Sequence, residues 1–217
     1  MSKVLKVNKK LYFLFFIFYI LIFSFISCSQ NVPEITHVDY SVVFSYHDEE
    51  SKPDVRLSLF VKNLNDVRRC ERIKVHSVSS DYIWNTDNIK NISYGDSSWS
   101  GNVNFVVPEL EKIPSGRYEI SYINSDESND DFYLDLIYDQ SLYEKKLSDI
   151  PEYMSDKAVL NVAIYNSDGV LLFFGEKSEN LDSGGDILNS YNNAVSYQDV
   201  WITNDKTVIC ILPEKKL

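Results

Sequence analysis

Apolar and polar side chains alternate with a period of two through most of this chain. Every even position of residues 38–46 is apolar or aromatic, and residues 55–61 repeat the pattern at odd positions. Residues 99–107, 118–122 and 132–136 alternate in a similar way. A period of two is typical of a strand with one buried and one wet face, and such strands form antiparallel sheets. The sequence therefore predicts an all-β body.

Residues 113–122 read Ile-Pro-Ser-Gly-Arg-Tyr-Glu-Ile-Ser-Tyr, a turn followed by a strand that places Tyr118, Ile120 and Tyr122 on one face. This segment resembles the Pro-x-Gly-x-Tyr opening of a late strand in immunoglobulin-like and fibronectin-type-III-like sandwiches. The resemblance implies an immunoglobulin-like antiparallel β-sandwich over residues 36–140, for which six or seven short strands are suitable. It implies no function, because unrelated activities share this fold.

A smaller β-rich unit with one short helix is expected after the sandwich. Residues 141–157 are polar and contain Pro151, so we interpret them as a connection. Residues 158–217 carry two hairpin turns, Asn-Ser-Asp-Gly at 166–169 and Asn-Asp-Lys at 204–206. The sequence leaves open whether this C-terminal β-hairpin unit shares one core with the sandwich.

Two finer patterns lie inside this unit. The expected helix rests on apolar residues at helical spacing: Ile187, Leu188, Tyr191, Ala194 and Val195. In residues 208–212 both parities are apolar, which predicts a last strand covered on both sides.

The N-terminus has the organisation of an export signal. Residues 1–10 are basic, residues 11–27 contain no charge, and Cys28 follows. A 17-residue helix is about 25 Å long, short of a hydrocarbon core of about 30 Å. A basic start, an apolar run and small residues before a cysteine are typical of a secretory signal.

Phe25-Ile26-Ser27-Cys28 resembles the lipobox of bacterial lipoproteins. The usual box has Leu three residues before the cysteine and Gly or Ala directly before it. Phe25 and Ser27 depart from that pattern and fit the looser boxes of spirochaete lipoproteins. The resemblance implies a signal peptide at residues 1–27, acyl chains such as palmitate on Cys28, and a lipidated tether at residues 28–35. The alternative is an uncleaved anchor helix with an incidental cysteine.

Two or three acyl chains would hold the protein on a membrane, whereas one chain gives only marginal binding. The tether is short, which favours the periplasmic face of the outer membrane over the cell surface.

The charge balance excludes some partners. With the four lysines of residues 1–27 set aside, 17 basic and 32 acidic residues remain, a net charge of −15. Nucleic-acid binding needs clustered Lys and Arg, and so does docking on anionic lipid through a basic face. We therefore expect no nucleic-acid partner and a membrane association through the lipid on Cys28 alone.

Cysteines and tryptophans supply candidate sites. Cys70 and Cys210 form a possible disulfide, because paired cysteines are common in exported proteins, although buried free thiols also fit. Trp84, Trp99 and Trp201 are possible glycan-stacking residues, and each also fits as a core residue.

Residues 182–186, Asp-Ser-Gly-Gly-Asp, resemble the nucleophile segment of trypsin-like serine proteases, with Ser183 as the attacking residue. Leu181 and Asp186 replace the flanking Gly and Pro of that family, and its Ala-Ala-His-Cys motif has no counterpart around the histidines. The alternative reading is a glycine-rich turn that caps the following helix.

No cofactor or metal is expected from the sequence. The three histidines lack zinc spacing, and no Walker motif or GxGxxG follows a strand. The acidic loops at residues 48–50 and 126–131 lack the Asp-x-Asn-x-Asp-Gly register of a calcium loop, so we interpret them as solvated turns.

These patterns together predict a lipid-anchored cell-envelope protein that is not an enzyme and that binds or scaffolds a protein partner. The sequence is also compatible with two alternatives. One is a carbohydrate- or peptidoglycan-binding module using the tryptophans, and the other is an envelope hydrolase using Ser183.

Overall fold

Strands dominate the computed structural model, which describes residues 32–65, 67–80, 82–108 and 111–217. The predicted signal peptide 1–27 and Cys28 lie outside the described residues. The first eight strands are β1 (Ile35–Ser45), β2 (Asp54–Asn63), β3 (Cys70–Ser77), β4 (Tyr82–Thr86), β5 (Lys90–Tyr94), β6 (Ser97–Phe105), β7 (Gly116–Asn124) and β8 (Asn129–Leu136). The prediction of an all-β fold is confirmed.

The second part of the chain adds further strands and short helices. The strands are β9 (Ala158–Asn166), β10 (Leu171–Glu176), β11 (Ala194–Thr203), β12 (Val208–Ile211) and β13 (Lys215–Lys216). The α-helices are α1 (Ile150–Met154) and α2 (Gly184–Ser190), and 3₁₀ turns occupy Val67–Arg69, Gln140–Glu144, Leu147–Asp149 and Glu179–Leu181. The expected helix is thus present as α2, but Ala194 and Val195 begin β11 instead of extending it.

Eight strands form a two-sheet sandwich. One sheet contains the order β5-β6-β2-β1 and the other has the order β4-β3-β7-β8, with antiparallel pairing throughout. In immunoglobulin lettering, β1 to β8 correspond to strands A, B, C, C′, D, E, F and G. Sheet D-E-B-A then packs on sheet C′-C-F-G, which is the arrangement of immunoglobulin-like sandwiches. Contacts between the sheets include Trp84 and Phe105, whose ring centroids lie 6.4 Å apart.

Tyr118 fixes the corner that leads into β7. Its side chain is buried, and its hydroxyl donates a hydrogen bond of 2.7 Å to the carbonyl of Pro114. The Trp84 ring stacks on it at 6.3 Å. A tyrosine at the start of strand F that bonds a backbone group a few residues upstream is the tyrosine corner of immunoglobulin-like domains.

The sheet that contains β1 continues past the sandwich. β12 pairs with β1 in parallel, from Val42 with Val208 to Ser45 with Ile211, and the order runs on as β12-β11-β9-β10 with β13 beside β11. Val208 and Cys210 belong to the same core as the sandwich residues. Residues 36–140 and 158–217 therefore both contribute strands to this sheet, here called the large sheet, and residues to the main core, within a compact unit, Pro33–Leu217.

Residues 141–157 do more than connect the two parts. Leu142, Ile150 and Met154 are fully buried in the main core, and the Tyr46 hydroxyl donates to the carbonyl of Leu142 at 3.3 Å. The 3₁₀ turns and α1 thus cover the inner face of the large sheet near β12.

A second core lies under α2. Val162 and Ile164 of β9 pack with Leu181, Ile187 and Ala194.

Each helix of the described ranges is too short or too polar to cross a bilayer.

A buried carboxylate holds the C-terminal strand. Asp199 lies in the middle of β11 with its side chain 8% exposed. Its Oδ1 accepts from Lys177 Nζ at 3.0 Å and its Oδ2 from Lys215 Nζ at 2.8 Å. Because Lys215 belongs to β13, this triad ties the end of the chain to the sheet.

Candidate functional site

Ser183 is a helix cap in the structure. Its hydroxyl accepts from the backbone N–H of Asp186 at 3.2 Å and donates to Asp186 Oδ2 at 2.5 Å, while the Ser183 N–H donates to the same carboxylate. This reciprocal pattern is a capping box at the start of α2. The histidines contact other residues: His37 bonds Asp39, His47 bonds Asp54 and His76 bonds Glu119. The geometry thus supports the capping alternative for this segment.

Replacing Ser183 by alanine should reduce stability by about 0.5–2 kcal/mol, the usual cost of losing an N-cap. Urea denaturation of the purified protein would measure the change, with Ser167→Ala in an exposed turn as the control. An unchanged midpoint in Ser183→Ala would argue against the capping role.

The three tryptophans do not form one platform. Trp84 lies on β4 of the smaller sheet, where its Nε1 donates to the carbonyl of Val106 at 2.6 Å. Trp99 lies on β6, with the His37 ring 6.0 Å away edge-on and Lys62 Nζ 5.9 Å from its ring centroid. Trp201 lies on β11 and packs against the main core. The structure therefore separates the residues of the expected glycan-stacking set.

Cys70 and Cys210 are free thiols, so the possible disulfide is not formed. Cys70 begins β3 in the smaller sheet and its thiol donates to the carbonyl of Arg72, whereas Cys210 lies in β12 of the large sheet. Burial raises the pKa of the Cys70 thiol to about 11 and that of Cys210 to about 12. Both groups are therefore protonated and unreactive near neutral pH.

Thiol titration should reflect this burial. In a Cys28→Ser variant at pH 7.4, we expect no fast reaction of native protein with Ellman's reagent and two reactive thiols in denaturant. One or no reactive thiol in denaturant without reductant would contradict the free-thiol state.

The acidic loops are held by their own hydrogen bonds. Asp48 Oδ1 accepts from the N–H groups of Glu50 and Ser51, and these bonds, led by that from Ser51, lower the pKa of Asp48. Asp126 accepts from Ser128 and pairs with Arg69. Within the described residues, no group of three or more His, Cys, Asp and Glu side chains could hold a metal ion.

A cleft of about 370 Å³ opens between residues 137–157 and the turn after β11. Its walls include Asp139, whose carboxylate accepts from the Tyr153 hydroxyl and lies 3.7 Å from Lys157 Nζ. The Tyr153 hydrogen bond is the largest effect on the pKa of Asp139, which falls to about 2. A carboxylate that is so weakly basic and already paired is poorly suited to general acid–base chemistry near neutral pH.

The less expected feature is the outer face of the large sheet, the face turned away from the two cores. Paired residues of a sheet point to the same side, and Val42 and Val208 lie in the main core, so the next pair, Val43 and Ile209, points outward. The pairing continues this side across β11, β9 and β10. We name as the outer apolar face the residues Val43, Val159, Ala163, Phe174, Val200, Ile202, Ile209 and Ile211.

Burial differs across the outer apolar face. Val43, Ala163 and Val200 are buried, although they belong to neither core. Val159 and Phe174, nearer the edge, are 38% and 50% exposed. Asn161, Gln198 and, at the edge, Glu176 point to the same side. The solvated face of an antiparallel sheet is normally polar throughout, so a cluster of apolar residues on this side indicates an interaction surface.

Polar side chains border this face. Arg56, opposite Val43 on β2, donates to Ser45 Oγ at 2.8 Å, and Gln198, opposite Ala163 on β11, accepts from the Tyr165 hydroxyl at 3.4 Å. An apolar centre with a polar rim is the usual organisation of a protein-binding surface.

The sequence contained one indication of this surface. Residues 208–212 are apolar on both parities, which predicted a strand covered on both sides. In the structure Val208 and Cys210 are buried, but Ile209 and Ile211 are only half-buried and face outward. Ile209 and Ile211 therefore belong to the outer apolar face, and neither is a member of a core cluster among the described residues.

A comparison of the chain with models of known protein families and with curated proteins gives no match.

Proposed function

We propose that this chain is a lipid-anchored cell-envelope protein that binds a protein partner without catalysing a reaction. The observation that carries the proposal is the outer apolar face. Val159 and Phe174 of this face are exposed and its isoleucines are half-buried. Covering them favours association, because it removes apolar area from water at roughly 25 cal/mol per Å². A macromolecular partner fits a flat face of several strands better than a small ligand, which needs a concave site.

The location of the partner follows from the anchor. Acyl chains on Cys28 would leave six residues before β1 begins at Ile35, and the seven residue steps from Cys28 to Ile35 span about 25 Å at most. The folded body would then remain within that distance of the bilayer. This short reach supports a partner in the same envelope, with the periplasmic face of the outer membrane as the preferred location.

The anchor can be tested by itself. Cells given radiolabelled palmitate should label the wild-type protein and not a Cys28→Ser variant, which should also leave the membrane fraction. Labelling that persists in Cys28→Ser would refute lipidation at this residue.

The binding role is tested by crosslinking in cells followed by mass spectrometry. We expect Val159→Asp together with Phe174→Asp to lose the captured partner, because both side chains are exposed and the charges interrupt the outer apolar face. Ile137→Asp is the matched control, since Ile137 is 72% exposed but lies outside that face.

Capture of the same proteins by wild type and the double variant, at equal protein level, would overturn the assignment of the outer apolar face. Loss of capture in Ile137→Asp as well would show that any added charge is disruptive, and would also count against it.

A further inference from the structure

β10 is an open edge of the large sheet. In the described strands it pairs with β9 on one side, and the sheet order ends there. The backbone N–H of Lys177 donates to the carbonyl of Leu160 at 2.9 Å, one step beyond the pair Glu176 with Asn161. Every second residue of an antiparallel strand bonds its neighbour. Gly175 and Phe173 therefore face β9, and the backbone groups of Phe174 and Glu176 point to the open side.

The edge has only part of the usual protection against pairing, namely a register shift between Leu171 and Phe173 and the charge of Glu176. Natural sheet edges are commonly blocked by lysine, proline or inward charges, and β8, an edge of the smaller sheet, carries Asp130, Asp131 and Asp135. β10 reads Leu-Leu-Phe-Phe-Gly-Glu, without lysine or proline, and its Leu171 and Phe174 are exposed. Phe174 is also the outermost member of the outer apolar face. A strand added to β10 would therefore widen that face.

Charge at the two ends of β10 indicates the chemistry of the added strand. The exposed carboxylate of Asp168 lies in the turn before β10, and those of Glu176 and Glu179 lie at its far end. The nearby ammonium of Lys177 is already bound to Asp199. An extended segment with basic residues at its ends would be complementary, whereas an acidic one would be repelled.

A second copy of this chain is a poorer occupant. Both copies would bring the same carboxylates and a net charge of −11 to the contact. A six-residue edge is about 20 Å long. Pairing along it buries far less than the roughly 800 Å² per partner of a standard interface.

We propose that β10 binds an extended apolar segment of a protein partner, with lysine or arginine at its ends, as an additional antiparallel strand of the large sheet. This inference rests on the proposed binding function and specifies how the partner is engaged. Backbone hydrogen bonds to Phe174 and Glu176 would supply affinity, and the flanking carboxylates would select basic ends.

The test uses fluorescence anisotropy with the full chain in detergent and a labelled nine-residue peptide that alternates valine and threonine between terminal lysines. We expect saturable binding. A second peptide has the same side chains but is N-methylated on alternate backbone nitrogens. Its affinity should be at least about tenfold lower, because losing one net hydrogen bond reduces affinity by about that factor. A peptide with terminal glutamates should also bind more weakly.

Glu176 offers a matched pair of variants on the protein side. Glu176→Pro removes the outward N–H, which an edge strand tolerates, and Glu176→Ala keeps it. We expect about a tenfold loss of affinity in Glu176→Pro beyond that of Glu176→Ala, with similar melting temperatures. Absence of saturable binding would overturn the proposal, as would equal affinities for the methylated and unmethylated peptides.

The outcome can be separated from that of the proposed function. Methylation-sensitive peptide binding without any crosslinked partner in cells would support the edge and refute the cellular role. A partner whose capture is lost in the Val159→Asp, Phe174→Asp protein but unaffected by Glu176→Pro would support the face and overturn strand addition.

Discussion

An Asp199→Ala variant is expected to lose about 3–5 kcal/mol of unfolding free energy, the range seen when one member of a buried ion pair is removed. Lys177 is the reason. Its side chain is 11% exposed and its ammonium bonds Asp199 Oδ1 at 3.0 Å, so without Asp199 a buried positive charge has lost this partner. Lys215 adds less, because its side chain is 51% exposed and water can replace the carboxylate.

Urea denaturation of the purified protein measures this loss. Asp168→Ala in the exposed hairpin turn is the control, and we expect it to stay within about 0.5 kcal/mol of wild type. Lys215→Ala should fall between the two. A change below about 1 kcal/mol in Asp199→Ala would contradict the buried triad.

The same three residues predict how the stability of the fold depends on pH. Burial alone would raise the pKa of Asp199, but the hydrogen bonds from Lys215 and Lys177 outweigh it and lower that pKa. A carboxyl whose pKa is lowered in the folded state contributes its full stabilisation of the fold above its unfolded pKa of about 3.9. That contribution is lost as the pH falls through the folded pKa. Stability should therefore fall in this acid range, and less steeply in Asp199→Asn.

The pKa of Lys215 is shifted in the opposite direction, so its contribution to stability has the opposite pH dependence. Burial lowers its pKa, but the hydrogen bond and charge of Asp199 raise it overall. A lysine whose pKa is raised in the folded state contributes its full stabilisation below the unfolded pKa of about 10.4. That contribution is lost as the pH rises through the folded pKa. The loss of stability above about pH 10 should be weaker in Lys215→Ala.

Much of the sandwich was predictable because its strands have one wet face. Alternation located β1, β2, β6, β7 and β8, and the turn before Tyr118 indicated the sandwich class. β5 was missed, because its residues are exposed on both faces of the strand and its sequence therefore shows no pattern of alternating buried and exposed residues.

The buried part of residues 141–157 was missed for a different reason. Leu142, Ile150 and Met154 are sparse among charged residues, and no regular period joins them. Their burial comes from two 3₁₀ turns and a short helix that fold against the sheet, and neither feature has a strong sequence pattern.

The candidate site was less predictable than the fold. Double apolar parity in residues 208–212 indicated contacts on both sides of that strand, but sequence cannot distinguish a layer of the same chain from a partner. The charges of Asp199, Lys177 and Lys215 were also uninformative, because they come together only when β11, β13 and the residue after β10 are aligned.

Gly101→Ala is expected to cost about 3 kcal/mol or more, beyond the usual range for overpacking, because backbone atoms oppose the added methyl. Gly101 of β6 pairs with Phe60 of β2. A Cβ there would lie 2.7 Å from the Phe60 Cα and would overlap the carbonyl oxygen of Leu59. The pairing shifts register between Leu57 and Leu59, and glycine at such an irregularity permits close backbone approach. Relief would require β2 and β6 to separate, which would open the centre of the sandwich.

Gly185→Ala provides the control for this substitution. Gly185 lies in α2 with its nearest added contact at 3.8 Å, from Ser183 Oγ. Alanine there should be neutral or should stabilise by up to about 1 kcal/mol through helix propensity. Differential scanning calorimetry and urea denaturation should therefore show opposite or strongly unequal shifts for two chemically identical changes. If Gly101→Ala melted within about 2 °C of wild type, β2 and β6 could not approach as closely as the structure has them.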